Sequence, residues 1–298
     1  MRRVTRRVAR LLDAAAATER DPESILYMHT VMCQTGLPYR NPGDDVRVWD
    51  RINGAVHLRI RAGEAMHPEL GRLVDLGLPY GSKPRLLLAY LNAEALRQQS
   101  PVIEVERSFT AFVRALNLAP HGRNINTIKD QLSRLAAAHI TLGMVKDGEA
   151  LTIKSDIISA FSLWWSKDNR QRVLWPSTVR LSPDYFDSLT RHAVPLHDAA
   201  LMALSGSAMG LDVYAWLAQR LHRIEPGKRV FISWPALQAQ FGWHYDRLRK
   251  FREVFIATVR MVCTQYGAAK IELDEHGMAL WHSPPPVKSR TSIVVRTP

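Results

Sequence analysis

The chain has 298 residues, enough for two domains with buried cores, and its 46% hydrophobic and 23% charged residues exclude a disordered or fibrous protein. Forty Lys and Arg against 28 Asp and Glu give +12, an excess that favours a polyanion because each neutralised phosphate releases condensed counterions. No apolar run approaches the ~20 residues of a membrane-spanning helix. The two cysteines, Cys33 and Cys263, have neither zinc-site spacing nor the pattern of a disulfide framework, which fits a reducing cytoplasm.

In chain order, Val4, Val8, Leu11 and Leu12 interleave with Arg2, Arg3, Arg6, Arg7 and Arg10 at helical spacing. Residues 2–17 therefore predict an amphipathic helix inside a basic N-terminal arm over 1–30. Asn41-Pro42-Gly43-Asp44 is a turn signal. Val46 to Trp49 and Ala55 to Ile60 read as strands joined at Asn53-Gly54, a small hairpin within an extension over 31–82. Gly77-Leu78-Pro79-Tyr80-Gly81-Ser82-Lys83 fails as a phosphate-binding loop: three residues, not four, separate the glycines, and a serine precedes the lysine. It leads instead into a leucine-rich helix from Arg85 to Gln98.

A first domain is expected over 83–194. Val102 to Glu106 is strand-like, and Ser108 can cap a short helix whose Phe109, Phe112, Val113 and Leu116 form one stripe. After a loop with Pro120, Gly122 and Asn124, Asn126 can cap a helix from Thr127 to Ala138 that buries Ile128, Leu132 and Leu135. Strands from Ile140 to Val145 and Leu151 to Ile158 flank the Asp147-Gly148 turn, and Trp164-Trp165 and Val173 to Leu181 extend the sheet. Pro183 to His192 predicts a helix, with Pro195 as the hinge to a second domain over 195–284.

That second domain repeats the order of elements. Helices from Asp198 to Leu204 and Leu211 to Leu221 precede a strand, Val230-Phe231-Ile232. Ser233 can cap a short helix with Pro235 in its first turn, and Gly242 can end it in a left-handed conformation. A longer helix from about His244 to Tyr266 buries Leu248, Phe251, Phe255, Val259 and Val262, and turns Arg247, Arg249, Lys250 and Arg252 away. Ala269 to Leu273 and Met278 to Trp281 flank a hairpin tip at Asp274-Glu275-His276-Gly277. Residues 285–298, led by Pro284-Pro285-Pro286, read as a flexible tail. The expected fold is α+β: two tandem winged helix-turn-helix domains with a small N-terminal β-hairpin extension.

From about Met32 to Pro284 the chain resembles the RepA-type plasmid replication initiators. The resemblance is carried by Gln34-Thr35-Gly36-Leu37-Pro38-Tyr39-Arg40, by Leu78-Pro79-Tyr80-Gly81 with Pro84-Arg85-Leu86-Leu87-Leu88, by Arg134-Leu135, by the tract from Leu211 to Leu221 and by Gln240-Phe241-Gly242. It implies two winged-helix domains, double-stranded plasmid-origin DNA as ligand, and host initiator and helicase proteins as partners in a bacterial cytoplasm.

A helix fits the major groove of B-DNA, where arginine can pair with guanine and asparagine with adenine. The candidate contacts are His244, Tyr245, Arg247, Arg249 and Lys250 in the second domain, and Arg123, Asn124, Asn126, Lys129 and Arg134 in the first. The bland reading is a solvated basic face, with Asp246 and Glu253 pairing some of these charges and Arg134 buried in a structural pair. Residues 46–60 and the Arg85 helix serve either a core or a homodimer interface. No catalytic residue, metal site or cofactor is expected. Two other functions stay open: a winged-helix repressor, perhaps of its own promoter in the manner of many initiators, and a tyrosine recombinase. The latter rests on His244-Tyr245-Asp246-Arg247 with Tyr266 downstream.

Overall fold

The computed structural model describes residues 11, 13–16, 24–67, 70–104, 109–116, 118–146, 148–160 and 178–287. The arginines of the N-terminal arm, Ser108, Trp164-Trp165, the start of the Val173 strand and residues 288–298 lie outside them. The chain is mixed α/β. Strand β1 (Ile25–His29) runs directly into helix α1 (Thr30–Gln34). Two hairpins follow, β2 (Val48–Asn53) with β3 (Val56–Arg61), then β4 (Glu64–His67) with β5 (Arg72–Asp75). Next come α2 (Ser82–Gln98), β6 (Val102–Glu104), α3 (Phe109–Ala115) and α4 (Gly122–Ala137). Strands β7 (His139–Lys146), β8 (Glu149–Asp156), β9 (Ile158–Ala160) and β10 (Thr178–Leu181) precede α5 (Pro183–His192). The remainder is β11 (Ala193–His197), α6 (Asp198–Leu204), α7 (Ala208–Arg220), β12 (Arg229–Ser233), α8 (Trp234–Phe241), α9 (Leu248–Cys263), β13 (Ile271–Leu273) and β14 (Gly277–Trp281).

The N-terminal hairpin is not a separate appendage. Its β3 pairs antiparallel with β7, Leu58 opposite Leu142, so β2-β3-β7-β8 form one four-stranded sheet across residue 82. The turn also sits one residue later than expected. Asn53 pairs with Val56, leaving Gly54-Ala55 at the corner with Gly54 at φ +57°. Pro195 is no hinge: it lies in the middle of β11, opposite Tyr27 of β1. A two-stranded ribbon tolerates proline because a residue's N–H can face outward there. The expected tail begins docked. Tyr266 Oη donates to the Pro284 carbonyl at 2.7 Å, His197 Nε2 lies 2.9 Å from the Pro286 oxygen, and Val287 is buried.

Helices α2 and α7 are buried over most of their length, so neither lies on the surface. Leu86, Leu87, Leu88, Leu91 and Ala95 of α2 are buried, as are Val213, Tyr214, Trp216 and Leu217 of α7. Where the two helices meet, Arg85 donates from Nε and Nη2 to both carboxylate oxygens of Asp212, at 2.6 and 2.7 Å. The same guanidinium donates to the carbonyls of Gly81 and Leu37, both at 2.6 Å. Gly36 sits against this pair at φ +87°; a Cβ there would lie 2.4 Å from Asp212 Oδ2. Burial pushes the Asp212 carboxyl upward, and the Arg85 guanidinium pulls it back. Removing one partner of such a pair strands a buried charge, so Arg85→Met should lower the unfolding free energy in urea by about 3–5 kcal/mol. Adding Asp212→Leu should recover part of that loss, and a single-variant cost below ~1 kcal/mol would show the pair is dispensable.

A second polar cluster joins β1 to α5. His29 accepts the Val31 N–H at Nδ1 and meets Ser188 Oγ at Nε2, at 3.2 and 3.0 Å. Burial, reinforced by His192, lowers its pKa from 6.5 to about 3. The fold thus favours neutral His29, and the unfolded chain takes up the extra proton first as acid is added. Stability should be full above pH 6.5 and fall as pH drops toward 3, by up to about 1.4 kcal/mol per pH unit from this group. His29→Asn, which keeps a cap for α1, should flatten that acid slope in urea titrations; an unchanged slope would acquit His29.

Candidate nucleic-acid interface

The second short helix is set as its sequence suggests. Ser233 Oγ accepts the Ala236 N–H at the start of α8, with Pro235 in the first turn, and Gly242 follows its last residue. The glycine serves space rather than handedness. Its φ is −116°, and a Cβ would lie 2.3 Å from the Phe251 ring, so no side chain fits between α8 and α9. Trp234, Phe241, Phe251 and Phe255 interlock behind that gap, with Phe241–Phe255 and Phe251–Phe255 centroids at 5.4 and 5.1 Å. These rings bury one side of α9 and leave Arg249, Lys250, Glu253 and Arg260 exposed on the other. The hairpin of β13 and β14 is closed by Asp274, whose Oδ1 accepts the His276 and Gly277 N–H groups at 2.7 and 2.8 Å. Those two N–H donors hold its carboxyl below the usual range.

The candidate residues do not share one fate. Helix α9 starts at Leu248, not at His244, with Arg247 as its exposed N-cap residue. His244 and Tyr245 therefore lie in the turn, and their rings pack sideways into an aromatic cluster. His244 stands edge-on to Tyr39 at 5.5 Å and Trp243 at 5.0 Å, and Tyr245 packs near Phe251 at 5.9 Å. Burial, then the Arg40 guanidinium, lowers the His244 pKa. Lys250 pairs with Glu253 at 3.0 Å, an exposed i,i+3 contact of the kind that breaks readily for a stronger partner. Arg252, by contrast, lies half-buried over the Trp234 ring at 5.0 Å.

Helix α4 begins five residues before the expected Thr127. His121 Nδ1 accepts the Asn124 N–H, so His121 is the cap and Asn126 is an interior, exposed residue. Asn124 closes the preceding loop by donating to the Ala119 carbonyl at 2.9 Å. Arg123 is exposed, and Lys129 is half-buried. Arg134 takes the structural alternative. Its Nε meets Asp130 Oδ1 at 2.9 Å, its guanidinium lies over Tyr80 at 5.3 Å, and its side chain is 14% exposed. Gly77 makes room for it. The residues most open to a large anionic ligand are Arg247 at the N-cap of α9, Arg249 and Lys250 in its first turn, and Arg123 and Asn126 on α4. Sequence reading passed over Arg40, exposed beside His244, although it closes the Tyr39-Arg40 motif.

Tyr266 is buried, with its hydroxyl donated to Pro284. Among the described residues, no group of three His, Cys, Asp or Glu could hold a metal ion, and no helix is long and apolar enough to cross a membrane.

The fold is similar to that of domains 2 and 3 of RctB. One crystal structure, RctB residues 155–483, matches with a TM-score of 0.50 and 11% identity, covering 84% of this chain and 94% of that one. The selenomethionine form of the same domains gives 0.49 and 10%, over 82% and 93%. No curated protein matches in sequence. The model of the family described as plasmid encoded RepA protein matches residues 78–235, more than half of the chain, and the protein belongs to that family.

Proposed function

We propose that this protein is a plasmid replication initiator that binds double-stranded origin DNA through two winged-helix units and recruits the host initiator and helicase. Membership of the RepA family supports the initiator role. The DNA reading is carried by one observation: Arg247, Arg249 and Lys250 are exposed at the N-terminal end of a helix whose buried side is locked to a short helix across Gly242. A helix held in this way can enter a major groove without losing its own packing, and the β13–β14 hairpin stands as its wing. In the first unit α3, α4 and the β7–β8 hairpin repeat that order, with Arg123 and Asn126 outward. The charge of +12 supplies the long-range attraction. The buried Tyr266 hydroxyl offers no nucleophile to a phosphate, which favours binding over strand cleavage.

Binding to plasmid-origin duplex, followed by fluorescence anisotropy across a salt series, tests the surface. Arg247→Ala and Arg249→Ala should each reduce the slope of log K against log salt by about 1, and a residue touching a base edge should cost ~1–3 kcal/mol at one position. Arg134→Ala should lower the melting temperature and leave the salt slope in place. Unchanged affinity and slope in the Arg247→Ala/Arg249→Ala double variant would remove α9 from the interface. Support of an origin-only plasmid in cells separates an initiator from a repressor that merely occupies the same DNA.

A further inference from the structure

The sheet of the first unit holds the turn that aims the outward helix of the second. Along β2, Trp49, Arg51 and Asn53 project from one side of the strand and are half-buried, whereas Val48 and Ile52 on the other side are exposed. Arg51 and Trp49 meet the second unit, and Asn53 meets α1. Arg51 Nη2 donates to the carbonyls of Ala239 and Gln240 at 2.5 and 2.9 Å, in the last turn of α8, where helix carbonyls lack intrahelical partners and carry partial negative charge. Gln240 reaches back, its Nε2 donating to the Gln34 carbonyl at 3.1 Å, and Asn53 Nδ2 donates to that same oxygen at 2.9 Å. Trp49 stands edge-on to Trp243 at 4.6 Å, one residue past Gly242.

Three hydrogen bonds, two from Arg51 and one from Gln240, and an aromatic contact are more than two independently swinging units would need. They converge on residues 239–243, immediately before α9, so a rotation of the second unit against the first must break them. We propose that this grip is a positioning device: Arg51 and Gln240 fix α4 and α9 relative to one another, and so set the base-pair spacing between the two DNA segments one chain can read. The inference rests on reading α4 and α9 as DNA-contacting helices. On B-DNA each added base pair displaces the second segment by ~3.4 Å and rotates it by about a tenth of a turn, which rigidly held helices cannot follow.

The test is selection from a pool of duplexes with 40 random base pairs, using the full-length protein, Arg51→Ala and Gln240→Ala. The unmodified protein should enrich two motifs at one spacing. Each variant should enrich the same motifs at spacings spread over several base pairs, bind the uniquely spaced duplex about tenfold more weakly, and keep its affinity for a single motif within about twofold. A purely structural brace would lower single-motif affinity equally and leave the spacing sharp, which overturns the proposal. So does a single enriched motif, or several spacings, with the unmodified protein. No enrichment at all would instead overturn the DNA reading on which the proposal stands. Gln240→Ala weakens the grip from the opposite side, so the question is answered even if Arg51→Ala fails to fold.

Discussion

The buried pair of Arg85 and Asp212 is the joint on which the rest of the structure depends. Taking two charges out of water costs several kcal/mol per ion, repaid only when the geometry is close and the remaining donors are filled. Here both carboxylate oxygens are bonded, and the spare guanidinium hydrogens reach the carbonyls of Leu37 and Gly81. One side chain thereby ties four segments together: the strip after α1, the loop before α2, and the two buried helices α2 and α7. Gly36 is required because any Cβ would press into the carboxylate. The motifs that mark the RepA resemblance, around Gly36-Leu37-Pro38-Tyr39, Leu78 to Gly81 and the α7 tract, are the parts of this joint.

From α7 the order propagates outward through rings. Trp216 meets Phe241 at 5.2 Å, Phe241 meets Phe255, and Phe255 meets Phe251 and Trp234. This ladder is what makes α9 one-sided. Its aromatic stripe is consumed by packing, so the charged residues between are forced outward, except Arg252, whose stem and guanidinium cover Trp234. A basic surface helix here is a by-product of the core arrangement as much as of the arginines themselves. The same core holds α8 at the angle at which Arg51 can reach its terminal carbonyls.

Periodicity made most elements legible. The Ser233 cap gives α8 almost residue by residue, and the stripe of Phe251, Phe255, Val259 and Val262 gives the buried face of α9, though not its ends. Starts were less legible where the capping group is unusual: His121 caps α4 through a ring nitrogen, and Arg247 precedes α9 without any side-chain cap. Pro195 misled because a proline between two helical patterns reads as a break, whereas pairing with Tyr27 from the far N-terminus makes it part of a strand. The fate of each charge was least legible. Arg134 is claimed by Tyr80 and Asp130, and Arg51 by carbonyls of another unit, partners that only the fold brings near. Local spacing can say that an arginine leaves a helix face, but not what waits beside it.

Two helices of one chain laid against one duplex would leave a footprint with helical phase. Hydroxyl-radical footprinting of the full-length protein on the plasmid DNA flanking its own gene tests this most directly, because it reports backbone protection nucleotide by nucleotide. Two protected blocks on one face of the duplex, about one helical turn apart, are expected for each bound protein. A single short block per protein, or protection without helical phase, would contradict it.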